Sequence, residues 1–86
     1  MIHSQIKIQG RTYKGKGMTI EEAIASLPVG NAKGAGVLTL ERKGVIKDKV
    51  LVPSQVSRIF GPGSPMTKSV ILKKTAMLFD KNVFEI

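Results

Sequence analysis

From the N-terminus, polar and apolar side chains alternate. Ile2, Ser4, Ile6 and Ile8 fall on one side of an extended chain, and His3, Gln5, Lys7 and Gln9 fall on the other. A period of two belongs to a half-buried strand and predicts a first strand over residues 2–9. Gly10 and Arg11 turn the chain into a short second strand around Thr12 to Lys14, which Gly15 and Gly17 are expected to break.

The period then lengthens. Thr19-Ile20-Glu21-Glu22 has the form of a capping box, in which the Thr19 hydroxyl accepts from the Glu22 amide and the Glu22 carboxylate reaches back. Ile20, Ala23, Ile24 and Leu27 follow at i, i+3, i+4 and i+7, one apolar stripe of a helix that Pro28 stops after about nine residues. Residues 29–36, VGNAKGAG, keep no period and predict an irregular connection.

Residues 37–41 and 45–52 read as a hairpin around the three-residue loop Arg42-Lys43-Gly44, with the glycine in a left-handed conformation. That register puts Leu38, Leu40, Ile46, Val50 and Val52 on one face, with Asp48 ill at ease among them. Pro53 and Ser54 close the strand, and Val56, Ile59 and Phe60 predict a short helical turn capped by Ser54 and ended by Gly61. GPGSP, residues 61–65, is a rigid loop. Thr67 then caps a helix over 67–79 with the stripe Leu72, Thr75, Ala76 and Phe79, although Ser69 to Leu72 also has strand character. Val83, Phe84 and Ile86 make either a closing strand or a helix extension.

These elements assemble into a single small α+β domain over residues 1–86, a mainly antiparallel sheet with one or two helices packed on one face. The expected core is Ile6, Ile8, Ile20, Ile24, Leu27, Leu38, Leu40, Ile46, Val50, Val52, Ile59, Phe60, Leu72 and Phe79. Eighty-six residues leave room for one core, and 42% apolar content is enough to fill it.

Zero Cys excludes disulfides, thiol chemistry and Cys-based zinc sites, and a single histidine, His3, excludes a two-His metal site. No metal or cofactor is therefore expected. No apolar run approaches the roughly 18 residues of a membrane span, and MIHSQIKIQG lacks the pattern of a signal peptide, so a cytoplasmic chain without membrane attachment is expected.

One segment carries a motif. Gly10 to Gly17 reads G-x-x-x-x-G-K-G, one residue short of a phosphate-binding P-loop because Gly17 stands where a Ser or Thr would hold magnesium. Ala76 to Asp80, AMLFD, superficially supplies the apolar run ending in a metal-binding Asp. A P-loop domain also needs several parallel strands with crossover helices, which this length excludes, so the segment reads as a basic hairpin turn. No nucleophile stands beside a visible base, and the acids are scattered or used in capping. The chain is read as a non-enzyme with no catalytic residues.

Charge changes the picture most. Fourteen Lys and Arg against six Asp and Glu give a net charge of +8. Residues 1–20 hold Lys7, Arg11, Lys14 and Lys16 without an acid, and residues 49–79 hold Lys49, Arg58, Lys68, Lys73 and Lys74 without one. Phosphate backbones reward such blocks, because each neutralised phosphate releases counterions.

The function expected is nucleic-acid binding, to DNA or RNA backbone, or a ribonucleoprotein accessory role. The alternative is a protein-interaction or assembly module with an acidic protein partner or as a homodimer. The candidate contacts are Arg11, Tyr13, Lys14, Lys16, Lys33, Arg42, Lys43, Arg58, Lys68, Lys73 and Lys74, with Tyr13 available to stack on a base. An RNA-recognition sheet would carry aromatics on its central strands, and residues 2–9, 37–41 and 45–52 contain none.

Overall fold

The computed structural model describes residues 1–30 and 32–85. Asn31, within the expected connection, and Ile86, within the alternative closing strand, lie outside the described residues. The chain runs β1 (Ile2–Ile8), β2 (Arg11–Gly17), α1 (Ile20–Ala25), β3 (Gly36–Arg42), β4 (Val45–Leu51), α2 (Pro53–Phe60), α3 (Pro65–Ala76) and α4 (Lys81–Phe84). The strands form one sheet in the order β2-β1-β3-β4, with every neighbouring pair antiparallel. The protein is an α+β domain.

Both hairpins close through two-residue turns. Gln9 and Gly10 lie at φ 48° and 80°, and Lys43 and Gly44 at φ 51° and 84°. Left-handed backbone at both central positions matches the twist of the flanking strands, and glycine at the second position adopts it without a Cβ clash. Gln9 thus belongs to the turn rather than to β1.

The second turn corrects the expected three-residue loop, and the loss of one residue flips β4. Arg42 pairs with Val45, Leu40 with Lys47, Leu38 with Lys49 and Gly36 with Leu51. Ile46, Val50 and Val52, expected in the core, are exposed, whereas Leu51 is fully buried. Asp48 now lies opposite Thr39 and accepts a hydrogen bond from the Thr39 hydroxyl at 2.8 Å, which removes its apparent misfit.

β2 is longer than expected because Gly15 and Gly17 do not break it. They admit α1 instead. A Cβ on Gly15 would stand 2.3 Å from Ser26 Oγ, and one on Gly17 would stand 2.5 Å from the Ala23 backbone nitrogen. The buried Ser4 hydroxyl donates to the Ala23 carbonyl at 2.6 Å, and the outward-facing Lys16 amide donates to Ser26 Oγ at 2.9 Å. The same helix therefore covers the sheet and caps part of its β2 edge.

The capping box forms as read: Glu22 N–H donates to Thr19 Oγ1, and Thr19 N–H donates to Glu22 Oε1. Regular helix ends at Ala25, short of the expected nine residues, but Leu27 and Val29 beyond it remain buried. Two other caps differ from expectation. Pro53 takes the first position of α2, and the Gln55 side chain accepts from the Val52 amide, so Ser54 is not the cap. Ser64 rather than Thr67 caps α3, with Pro65 at the first helical position.

The core lies on the sheet face that carries Ile2, Ile6, Ile8, Leu38 and Leu40, beneath α1 and the later helices. Val56 and Ile59 of α2 join it, as do Phe79 and Phe84, whose rings meet edge to face with centroids 6.1 Å apart. Ile2, Ala23, Val29, Leu51, Val56 and Phe84 are additions to the expected core. Phe60 and Leu72, expected inside it, are half-buried against its rim. Each fully buried Ile or Leu contributes about 2 kcal/mol. α3 is the helix expected over 67–79, begun two residues earlier and ended at Ala76, so that Phe79 reaches the core from beyond its end. Phe84 lies in a turn of helix rather than a strand.

Candidate functional site

Strand parity sorts the N-terminal cations onto two sides of the sheet. On the face away from the helices, Lys16 pairs with His3, Lys14 with Gln5, and Thr12 with Lys7. Continuing across β1 into β3, His3 meets Glu41, Gln5 meets Thr39, and Lys7 meets Val37. β4 completes these rows with Ile46, Asp48 and Val50. The open face is therefore graded. Its β2 and β1 half holds Lys7, Lys14 and Lys16 without an acid, and its β3 and β4 half holds Glu41 and Asp48 with exposed Val37, Ile46 and Val50.

Lys14 and Lys16, two residues apart on one strand, are separated by about 7 Å along it. A linear polyanion laid along β2 meets both and reaches Lys7 across the pair. The Thr12 and Gln5 side chains beside them are hydrogen-bonding groups suited to phosphate and sugar oxygens.

Arg11 and Tyr13 point the other way. With Ile8, Gln9, Gly30, Ala32 and Lys33 they line an open groove of about 580 Å³ at the turn end of the β1–β2 hairpin. Tyr13 is half-buried, packed against the core rim. The sequence placed Tyr13 beside Lys14 and Lys16, but in a paired strand adjacent residues face opposite sides, so it stands apart from both and beside Arg11 and Lys33.

The remaining candidates are dispersed. Arg42 is half-buried, and its Nη1 donates to the Phe84 carbonyl at 3.1 Å, tying the β3 end to α4. Lys43 is exposed in the β3–β4 turn. Arg58 is exposed on α2, Lys73 and Lys74 are exposed on α3, and Lys68 is half-buried beside Phe60 and Leu72. The eleven candidates thus form three groups: the open sheet face, the groove, and the β3–β4 turn with the helical layer.

Most acids already have local work. Glu22 caps α1, Glu85 accepts from the Ile20 amide at 3.1 Å, Asp80 caps α4, and Asp48 binds Thr39. Among the described residues the one ion pair is Lys81 with Glu85 at 4.0 Å. The cations of the open face and groove therefore stand without carboxylate partners.

The P-loop-like segment has no phosphate-wrapping loop. Gly15-Lys16-Gly17 are ladder residues of β2, and the turn before them holds two residues. Asp80, the end of the AMLFD run, is a helix cap. Among the described residues, no group of three His, Cys, Asp or Glu side chains gathers around a possible metal position, and no helix is long and apolar enough to cross a membrane.

Sequence reasoning missed the separation of Tyr13 from Lys14 and Lys16, and the grouping of Tyr13 with Lys33. The signal for the first was present, since β1 alternates strictly and its partner must alternate in phase. Nothing local pointed to the second, because Lys33 approaches through an aperiodic connection. No protein-family model matches the chain, and no curated protein and no solved structure matches it.

Proposed function

We propose that this chain is a non-enzymatic nucleic-acid-binding module, alone or as an accessory part of a ribonucleoprotein, that takes a phosphate backbone on the β2 and β1 half of its open sheet face. The supporting observation is the acid-free cluster of Lys7, Lys14 and Lys16 on an uncovered sheet surface, in a domain of net charge +8 in which, among the described residues, only Lys81 has an ion-pair partner. Two paired strands hold these lysines in register, so a bound backbone meets a prearranged set of charges. The low aromatic content of this face makes backbone contact, rather than base stacking, its source of affinity.

The test is fluorescence anisotropy with labelled single-stranded RNA, single-stranded DNA and duplex DNA across a salt series. Lys7→Gln/Lys14→Gln/Lys16→Gln is compared with Lys47→Gln/Lys49→Gln/Lys81→Gln, which removes the same charge elsewhere. Losing three phosphate contacts on a single strand lowers the log–log salt slope by about 2. Equal losses in the two variants would mean that binding follows net charge and has no seat on this face.

A second reading rests on the other half of the same face. Ile46 and Val50 are 60% and 69% exposed on the edge strand β4, beside exposed Val37. This apolar strip suits a protein-assembly role, with a partner or a second copy covering it. Concentration-dependent sedimentation that Ile46→Thr/Val50→Thr abolishes would support that role over the first.

A further inference from the structure

The groove at the turn end of the β1–β2 hairpin has a composition unlike the rest of the surface. It joins a guanidinium, an ammonium and the chain's single tyrosine ring in one concavity, with the Gly30 backbone in its wall and no acid among its described lining residues. Its volume of about 580 Å³ lies within the range typical of small-molecule sites.

The hairpin side of the groove is well held. Arg11 pairs with Ile8 as the first residue of β2, next to a two-residue turn, and Tyr13 pairs with the fully buried Ile6. The ring is anchored along the core rim and still lines the groove. Opposite, Gly34 adopts φ 106°, and a Cβ there would stand 3.2 Å from Gln9 Nε2, so glycine allows this loop to lie against the hairpin turn.

We infer that this groove binds a phosphorylated nucleoside, with the base against the Tyr13 ring and the phosphate between Arg11 and Lys33. Guanidinium groups give paired, directional hydrogen bonds to phosphate oxygens, ammonium groups add a mobile charge, and an aromatic ring accepts any base by stacking. The same chemistry is offered by an unpaired nucleotide of a strand and by a free mononucleotide. The inference takes the strand as the source and so rests on the nucleic-acid reading. Arg11 adjoins Thr12, which lies on the open face opposite Lys7, and stands about 10 Å along β2 from Lys14, so a strand following β2 past Lys14 arrives at the sheet edge over which the groove lies.

Tyr13 supplies its own reporter, since the chain holds one Tyr and no Trp. The experiment follows the Tyr13 ring protons by NMR during titration with AMP, adenosine, inorganic phosphate and a ten-nucleotide single-stranded RNA. RNA affinities of Tyr13→Leu, Tyr13→Phe and Arg11→Gln/Lys33→Gln are measured alongside, with amide spectra confirming that each variant is folded. AMP and RNA are expected to shift the ring signals upfield, and adenosine and phosphate to bind more weakly than AMP. Tyr13→Leu should weaken RNA binding about tenfold and Tyr13→Phe should not. The double variant should lower the salt slope by about 1.4.

RNA binding that leaves the ring signals and the Tyr13→Leu affinity unchanged would overturn the groove and spare the nucleic-acid reading. Shifts with AMP but no RNA binding would uphold the groove as a free-nucleotide site and end that reading. Adenosine binding as tightly as AMP would overturn the role given to Arg11 and Lys33. Absence of any effect from AMP or RNA would overturn the groove and the reading together.

Discussion

The two hairpins of this domain share a plan and differ in what covers them. Each pairs two seven-residue strands through a two-residue left-handed turn. In the first, the outer strand β2 lies under α1 and places Gly15 and Gly17 where the helix presses in, with Thr12, Lys14 and Lys16 on the open face and Arg11 and Tyr13 on the helix side beyond it. In the second, the outer strand β4 has a single buried residue, Leu51, where α2 begins, and its other six are exposed. Coverage by a helix does not follow apolar content. β2 contains no aliphatic residue and lies under α1, while Val45, Ile46 and Val50 of β4 stay exposed and only its Leu51 enters the core.

This contrast makes its own predictions, which thermal or urea unfolding can check. The largest effect should come from Leu51→Ala, which empties the one buried site of β4 and should cost about 3 kcal/mol, lowering Tm by about 15 °C. A loss under 1 kcal/mol would show that β4 is not anchored there. Gly17→Ala comes next. The added methyl would press on the α1 backbone at Glu22 and Ala23, and a destabilisation of about 2 kcal/mol is expected. Stability equal to the parent would contradict the close approach of α1 to β2.

Thr19→Ala sharpens the comparison more gently. It removes the hydroxyl that accepts from Glu22 N–H and should cost about 1 kcal/mol. At the small end, Ile46→Thr and Val50→Thr should each change stability by no more than about 0.5 kcal/mol, because both side chains are mostly exposed. A loss of about 2 kcal/mol at either would place it in a core after all and restore the three-residue loop.

Much of the fold was legible where a local rule acts alone. The alternation of β1, the capping box of α1 and the helical stripe around Thr75 each follow from one periodicity or one hydrogen-bond pattern. The face of β4 was not, because a one-residue difference in turn length reverses every side chain of the strand, and apolar residues alone invited the wrong phase. Asp48 held the correct signal, since its misfit vanishes once it faces Thr39. Gly15 and Gly17 misled in the opposite sense. Glycine breaks a strand that must hold itself but serves one over which a helix passes closely.

The candidate site was legible as charge and not as place. Lys14 and Lys16 share a face by their spacing, and Lys7 joins them through pairing that no local sequence feature announces. Lys33 meets Arg11 and Tyr13 only because an irregular connection folds back on the first turn. Arg42, read as a surface contact, instead donates to the Phe84 carbonyl, a use set by the C-terminal segment that lies far from it in sequence.

The most direct measurement for the central claim is a map of amide chemical-shift changes in the full chain on titration with a short single-stranded RNA at low and moderate salt. Backbone binding on the β2 and β1 half of the open face would concentrate perturbations at Lys7, Thr12, Lys14 and Lys16, continuing to Arg11, with β4 and α3 little changed and the pattern kept as salt rises. Perturbations centred on Ile46 and Val50 or spread evenly over the lysines, or no perturbation at moderate salt, would contradict it.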